Sequence, residues 1–125
     1  MLKPCLLAFV DDSSLRSQIA AVAQTKGAGV YFATEGEQLS QLAKTLKPFM
    51  VLVDLSELDA EWIFRHITTI VNANPNLPIL SFVDLHTSET VPDRAKKYGC
   101  RLVLLKSELI ETLPDLVEKG LSEGF

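Results

Sequence analysis

The sequence predicts one α/β domain over residues 1–125, in which helices cover both faces of a parallel β-sheet, a doubly wound fold. Five short apolar runs alternate with five amphipathic segments along the chain. The first run, Cys5–Val10, is continuously apolar, which is typical of a strand buried on both faces. A strand that rejoins the same sheet in parallel needs a right-handed crossover, and each amphipathic segment is long enough to be its helix.

The first half of the chain contains three strand–helix units. In the first helix, Leu15, Ile19 and Val22 share one face, and either Asp12 or Ser13 can cap its start. Glycine and proline residues mark the element ends. The predicted elements are strand Cys5–Val10, a helix ending before Gly27, strand Val30–Ala33, helix Glu35–Leu46, strand Phe49–Val53 and helix Asp59–Val71.

The second half contains the last two units, after a loop rich in asparagine and proline. Gly99 is the predicted end of the fourth helix. Thr112 is the predicted cap of the last helix, because Pro114 would then lie in the first turn, where proline is tolerated. The predicted elements are strand Ile79–Val83, a helix through Val91 and Tyr98, strand Arg101–Leu105 and helix Thr112–Leu121.

Composition and charge exclude several classes of protein. A formal net charge of -4 with scattered lysines leaves no basic stripe for a phosphate backbone, so this domain is not expected to bind nucleic acid. No apolar stretch approaches the roughly 20 residues needed to span a bilayer. The amino-terminal residues lack the pattern of a secretory signal peptide, so a cytoplasmic location is expected.

Acidic residues and one lysine follow three of the predicted strands. Asp11 and Asp12 follow the first strand, Asp54 the third and Lys106 the fifth. The five-unit length suits the flavodoxin-like strand order 2-1-3-4-5, in which the first and third strands are neighbours. Because parallel strands bring their carboxyl ends to one edge, the three aspartates are expected side by side there. Ligand sites of open α/β sheets lie at that edge.

These motifs resemble those of response-regulator receiver domains over essentially the whole chain. The sequence Val-Asp-Asp occupies residues 10–12, Val-Asp-Leu-Ser residues 53–56 and Leu-Leu-Lys residues 104–106. In that family an acidic pair follows the first strand, a phospho-accepting aspartate ends the third and a lysine ends the fifth. The resemblance implies that Asp54 accepts a phosphoryl group and that Lys106 binds the phosphoryl oxygens or the acceptor carboxylate.

The resemblance also implies a Mg²⁺ site. Asp12 and Asp54 would be direct carboxylate ligands, Asp11 would bind directly or through water, and the backbone carbonyl of Ser56 would complete the set. Mg²⁺ prefers oxygen ligands and retains several waters, so one or two carboxylates and a phosphate suffice to hold it.

The chain departs from the family at the residues that transmit phosphorylation. Val83 stands where a receiver has a serine or threonine at the end of the fourth strand, and Val103 stands where it has an aromatic residue in the fifth. Ser81 and Thr87 are alternative sources of the hydroxyl. Glu57 adds a carboxylate near the rim that could repel a phosphoryl donor or mimic phosphorylation, and Ser107 replaces the usual proline after the lysine.

Two hypotheses follow for the function. In the first, a phosphorelay receiver takes a phosphoryl group from a sensor histidine kinase or phosphotransfer protein and signals by contact with a downstream protein, with a homodimer as a further possibility. In the second, a pseudo-receiver binds proteins independently of phosphorylation. A small phosphatase or a flavin carrier is disfavoured, because no Asp-x-Asp follows a strand and no glycine-rich loop follows the first one. The chain is therefore not expected to be an enzyme beyond handling its own phosphoryl group.

Overall fold

The structure is a computed structural model that describes residues 3–56 and 60–122. Its five strands and five helices alternate along the chain. The strands are β1 (Cys5–Phe9), β2 (Gly29–Phe32), β3 (Met50–Asp54), β4 (Ile79–Val83) and β5 (Leu102–Leu105). The helices are α1 (Ser13–Thr25), α2 (Gly36–Thr45), α3 (Ala60–Ala73), α4 (Thr90–Tyr98) and α5 (Lys106–Ser122). Every strand lies within one residue of its predicted bounds.

The strands form one parallel sheet in the order β2-β1-β3-β4-β5, which confirms the predicted doubly wound fold and strand order. β3 lies at the centre of the sheet, between β1 and β4. The order places the carboxyl ends of β1 and β3 side by side. The strand order reverses between these two strands, which is the topological switch point of the sheet. The predicted site residues therefore share one edge.

Each face of the sheet has its own apolar core. On one face, Leu7, Val51 and Ile79 pack with α2, α3 and α4. On the other face, Leu52 and Leu80 pack with α1 and α5. Alternate residues of the same strand thus enter different cores, which explains why the strands are mostly apolar and do not alternate between apolar and polar residues.

The predicted start of the last helix at Thr112 is wrong, because α5 begins at Lys106, directly after β5. Pro114 consequently lies inside the helix. An internal proline costs roughly 3 kcal/mol. The helix buries four apolar side chains against the sheet, each stabilising by roughly 1.5–3 kcal/mol, and this gain exceeds the cost of the proline. Those side chains are Leu109, Leu113, Leu116 and Val117.

Two further predictions concern the helices. Gly99 ends α4 in a left-handed conformation with φ of 123°, as predicted. Asp59, the predicted first residue of the third helix, lies outside the described residues. Among the helices described, none combines the length and the apolar character that crossing a membrane would require.

Candidate functional site

Asp54 lies at the carboxyl end of the central strand. It is the last residue of β3 and pairs in register with Phe82 of β4. Its Oδ1 accepts hydrogen bonds from the backbone N–H of Ser56 at 2.8 Å and from the Ser56 hydroxyl at 2.5 Å. No hydrogen bond among the described residues involves Oδ2. One carboxylate oxygen is therefore held in place, and the other keeps its lone pairs for a ligand.

Asp12 caps α1 and also contacts Lys106. Its Oδ1 accepts a hydrogen bond from the backbone N–H of Leu15 at 3.1 Å, and its Oδ2 lies 3.7 Å from the Lys106 Nζ. The hydrogen bond from Leu15 is the main reason that the pKa of Asp12 lies below its ordinary value, and the charge of Lys106 lowers it further. Asp12 is therefore a carboxylate at neutral pH, oriented by the start of α1.

Asp11 and Asp54 line a cleft of about 330 Å³ at this edge of the sheet. Its walls include apolar side chains from β1 and α3, with Phe9 and Trp62 meeting edge to face at 5.7 Å between ring centroids. The size lies in the range of cavities that bind small ligands. The remaining lining residues are Val10, Arg16, Ala33 and Thr34.

The structure thus divides the predicted site into two parts. Asp11 and Asp54 open onto the cleft, whereas Asp12 and Lys106 pair with each other and do not line it. Within residues 3–56 and 60–122, no three His, Cys, Asp or Glu side chains gather as a preformed metal site. The cleft donors nevertheless fit Mg²⁺ in kind, because two carboxylates suffice for an ion that retains several waters.

The hydroxyl that reaches Asp54 comes from Ser56 and not from β4 or the loop after it. Val83, at the end of β4, is buried and apolar. Ser81 pairs in register with Val53 and is fully buried, so its hydroxyl lies in the core, below the rim. Neither position supplies the donor that a receiver carries at the end of the fourth strand.

Thr87 bonds through its hydroxyl to Asp84 and not to Asp54. Its hydroxyl donates to Asp84 Oδ1 and accepts from the Asp84 backbone N–H, both at 3.1 Å, and so closes a turn after β4. Val103 is half-buried against the core beneath α4. Glu57 lies outside the described residues.

Sequence patterns did not identify three polar or aromatic residues of the cleft: Arg16, Thr34 and Trp62. Trp62 contacts Phe9 edge to face and lines the cleft. Arg16 follows Asp12 by four residues, one helical turn, and its backbone N–H bonds to the Asp12 carbonyl at 2.9 Å. That spacing could have indicated a basic residue next to the acidic pair.

Comparisons with known proteins yield structural matches only. No family model and no curated protein sequence matches the chain. A response regulator protein from Burkholderia multivorans is 25% identical with a TM-score of 0.78, covering 99% of this chain and 98% of its own. A response regulator from Hahella chejuensis is 17% identical with a TM-score of 0.82, and the match covers 98% of each chain.

A third similar structure has a different name. It is a protein from Burkholderia pseudomallei whose name relates it to pilus assembly, 21% identical with a TM-score of 0.75, and the match covers 98% of this chain and 92% of that one. The strand order, the helices on both faces and these full-length matches agree with one another. The chain therefore has the receiver-domain fold of the response regulators.

Proposed function

We propose that the chain is a phosphorelay receiver that accepts a phosphoryl group on Asp54 with Mg²⁺ and signals through protein contact. One observation carries the proposal. Asp54 ends the central strand with Oδ1 held by Ser56, shares a cleft with Asp11, and has Oδ2 without a hydrogen bond among the described residues. That arrangement suits a nucleophile that must be oriented before it meets its substrate.

The transfer itself requires little covalent chemistry from the protein. Oδ2 of Asp54 would attack the phosphorus of a phosphohistidine, so that an O–P bond forms while the P–N bond breaks and its electron pair leaves with the imidazole nitrogen. Both reactants are anionic, so the site must position them and neutralise their charge. The hydrogen bonds from Ser56 orient the attacking carboxylate and restrict its rotation.

Lys106 supplies positive charge at the same edge of the sheet. Its Nζ lies 3.7 Å from Asp12, and both side chains are partly exposed, at 32% and 44%. Breaking the ion pair between Lys106 and Asp12 costs little free energy, because an exposed ion pair is weak. Lys106 can therefore leave Asp12 for the phosphoryl oxygens when Asp54 is modified.

The residues that would hold Mg²⁺ are Asp54 and Asp11 in the cleft, with Asp12 and the backbone carbonyl of Ser56 beside them. When bound, the ion supplies charge neutralisation for the phosphoryl oxygens. Asp12 would join this set by turning Oδ2 away from Lys106 while Oδ1 keeps its bond to Leu15.

The proposal implies protein partners. A sensor histidine kinase or a phosphotransfer protein would donate the phosphoryl group, and a downstream protein, or a second copy of this chain, would receive the signal in the cytoplasm. Neither nucleic acid nor a membrane surface is a proposed partner of this domain. The only catalysis proposed is the phosphorylation and dephosphorylation of Asp54 itself.

Exposure to acetyl phosphate and Mg²⁺ tests the acceptor. Intact-mass analysis should show one added phosphoryl group on the wild-type protein and none on Asp54→Asn, because the amide has no anionic oxygen for the attack. Asp115→Asn is the matched control, since Asp115 is an exposed carboxylate on α5 and should leave the adduct unchanged. An adduct that persists in Asp54→Asn would place the modification elsewhere, and no adduct with any phosphodonor would refute phospho-acceptance.

A pseudo-receiver is the second candidate, and specific observations favour it. Val83 is buried, Thr87 bonds to Asp84, and Val103 packs against the core, so no hydroxyl or aromatic side chain occupies the two switch positions. The fold is also found in a protein named for pilus assembly. Under this hypothesis Asp54→Asn leaves partner binding unchanged, whereas a tenfold change in the dissociation constant supports the receiver.

A further inference from the structure

The Arg16 guanidinium has two contacts at the wall of the cleft, and neither of them is with a carboxylate. Its Nε donates to the Val10 carbonyl at 2.5 Å, and its Cζ lies 5.3 Å from the centre of the Phe32 ring. Both contacts restrict the direction of the side chain, and Arg16 lines the cleft together with Asp54. An arginine fixed in this way loses little entropy when it binds a ligand.

No carboxylate neutralises Arg16 within the described residues. The ion pairs recorded there join Lys26 to Glu118, Arg94 to Glu61 and Lys106 to Asp12. Asp11 lines the same cleft but forms no ion pair with Arg16 in the described structure. Arg16 is half-buried, and its terminal N–H groups donate no hydrogen bond to another described residue. Such a guanidinium can bind an oxyanion.

We propose that Arg16 is the phosphoryl-binding residue of the cleft, contacting the oxygens of the group presented to Asp54. This inference rests on the proposed function. Arg16 and Lys106 would then contribute positive charge from separate parts of the site, because Arg16 lines the cleft and Lys106 does not. A guanidinium offers two parallel N–H groups to a phosphoryl group, which suits a site whose fourth strand supplies no hydroxyl.

Kinetics and binding separate this role from a structural one. Trp62 is the only tryptophan of the chain and lines the cleft, so its fluorescence can report both binding and phosphorylation. The probes are acetyl phosphate for the rate constant of phosphorylation, beryllofluoride for the affinity for a phosphoryl analogue, and Mg²⁺ alone. Arg16→Met should lower the rate constant and the beryllofluoride affinity by about tenfold or more, as expected for one lost charge-assisted hydrogen bond.

The affinity of Arg16→Met for Mg²⁺ alone should not fall. Removing a positive charge from a cleft that contains two carboxylates leaves the Mg²⁺ affinity unchanged or raises it. The rate constant and the beryllofluoride affinity of Arg16→Lys should lie between those of the wild-type protein and Arg16→Met. Lysine keeps the positive charge but lacks the two parallel N–H donors of the guanidinium. Arg65→Met is the matched control, because Arg65 is exposed on α3 and does not line the cleft.

Each remaining outcome decides a different point. If Arg16→Met is phosphorylated at the wild-type rate, this inference fails and the proposed function stands. If Arg16→Met weakens Mg²⁺ and beryllofluoride alike and lowers the unfolding temperature, Arg16 is a structural residue and the inference fails. If the wild-type protein itself neither takes up a phosphoryl group nor binds beryllofluoride with Mg²⁺, the proposed function fails, and the inference fails with it.

Discussion

At the scale of single residues, Asp12 serves the fold and the candidate site with the same carboxylate. Oδ1 caps α1 through Leu15, and Oδ2 approaches Lys106. The sequence offered both Asp12 and Ser13 as caps and assigned Asp12 to Mg²⁺ by resemblance. Spacing places the residue at the strand end, but it cannot tell which neighbour each oxygen meets, since that depends on side-chain torsions and on α5.

The pH dependence of stability should reveal the role of Asp12. Its pKa is lowered in the folded protein, so its ionised form adds stability above the ordinary value of 3.8, and this contribution disappears as pH falls through the folded pKa. Asp12→Asn keeps a capping oxygen and loses only the charge. Its urea midpoint should be below that of the wild-type protein at pH 7, and the difference should vanish in acid.

Asp12→Ala provides the comparison, because it removes the cap as well as the charge. Its urea midpoint should be lower than that of Asp12→Asn at every pH, since alanine cannot accept the Leu15 hydrogen bond. Equal midpoints for the two variants would show that the cap contributes nothing measurable. A wild-type advantage over Asp12→Asn that grows toward acid pH would contradict the sign of the pKa shift.

At the scale of elements, α2 and α3 pack closely at Gly36, the first residue of α2. A Cβ at this position would lie 2.5 Å from His66 Cδ2 and 2.7 Å from Trp62 Cζ3. His66 is held by Ser40, with 3.0 Å between Nδ1 and the hydroxyl oxygen. His66 is half-buried at this helix contact, a position that apolar periodicity does not reveal.

Gly36→Ala should therefore destabilise the protein. The added methyl group has no space unless the His66 and Trp62 rings move, and overpacking of this kind costs about 1–3 kcal/mol. Urea unfolding measures the loss. Gly29→Ala is the matched control, because the nearest atom to its Cβ would be Lys3 Cδ at 4.0 Å. An equal decrease in the free energy of unfolding in both variants would show that the α2–α3 contact accommodates the methyl group without cost.

The start of α5 shows where local patterns are insufficient. Proline statistics favoured a helix beginning near Thr112, and the structure begins it at Lys106. Leu109 and Leu113 are fully buried against the sheet, so packing outweighs the missing hydrogen bond at Pro114. The early start also matters for the site, because Lys106 is the first residue of α5 and the helix therefore sets the backbone position from which its side chain extends.

At the scale of the whole molecule, the sheet gathers charges that are far apart in the sequence. Asp11 follows β1 and Asp54 ends the adjacent strand β3, and the chain carries a formal net charge of -4. Folding brings these two carboxylates to one cleft, and neither of them belongs to an ion pair among the described residues. A divalent cation that binds there binds the folded state alone and must stabilise it.

Mg²⁺ should accordingly raise the stability of the wild-type protein. At 100 times its dissociation constant, a ligand specific for the folded state adds about 2.7 kcal/mol to the free energy of unfolding. Thermal unfolding with Mg²⁺ and with EDTA measures the effect. Asp11→Asn and Asp54→Asn should lose most of it, whereas Asp115→Asn should retain it. Stabilisation of Asp54→Asn equal to that of the wild-type protein would exclude Asp54 as a ligand.

The sequence by itself determined the alternation of strands and helices, the doubly wound class and the strand ends at which Asp11, Asp12, Asp54 and Lys106 lie. These features follow from apolar periodicity and from the geometry of parallel crossovers, both of which act over short stretches of chain. Only the tertiary structure decided that Asp12 turns to Lys106 and that α5 starts early. It also brought Arg16 and Trp62 to the cleft, because side-chain directions and cleft walls depend on how distant elements pack.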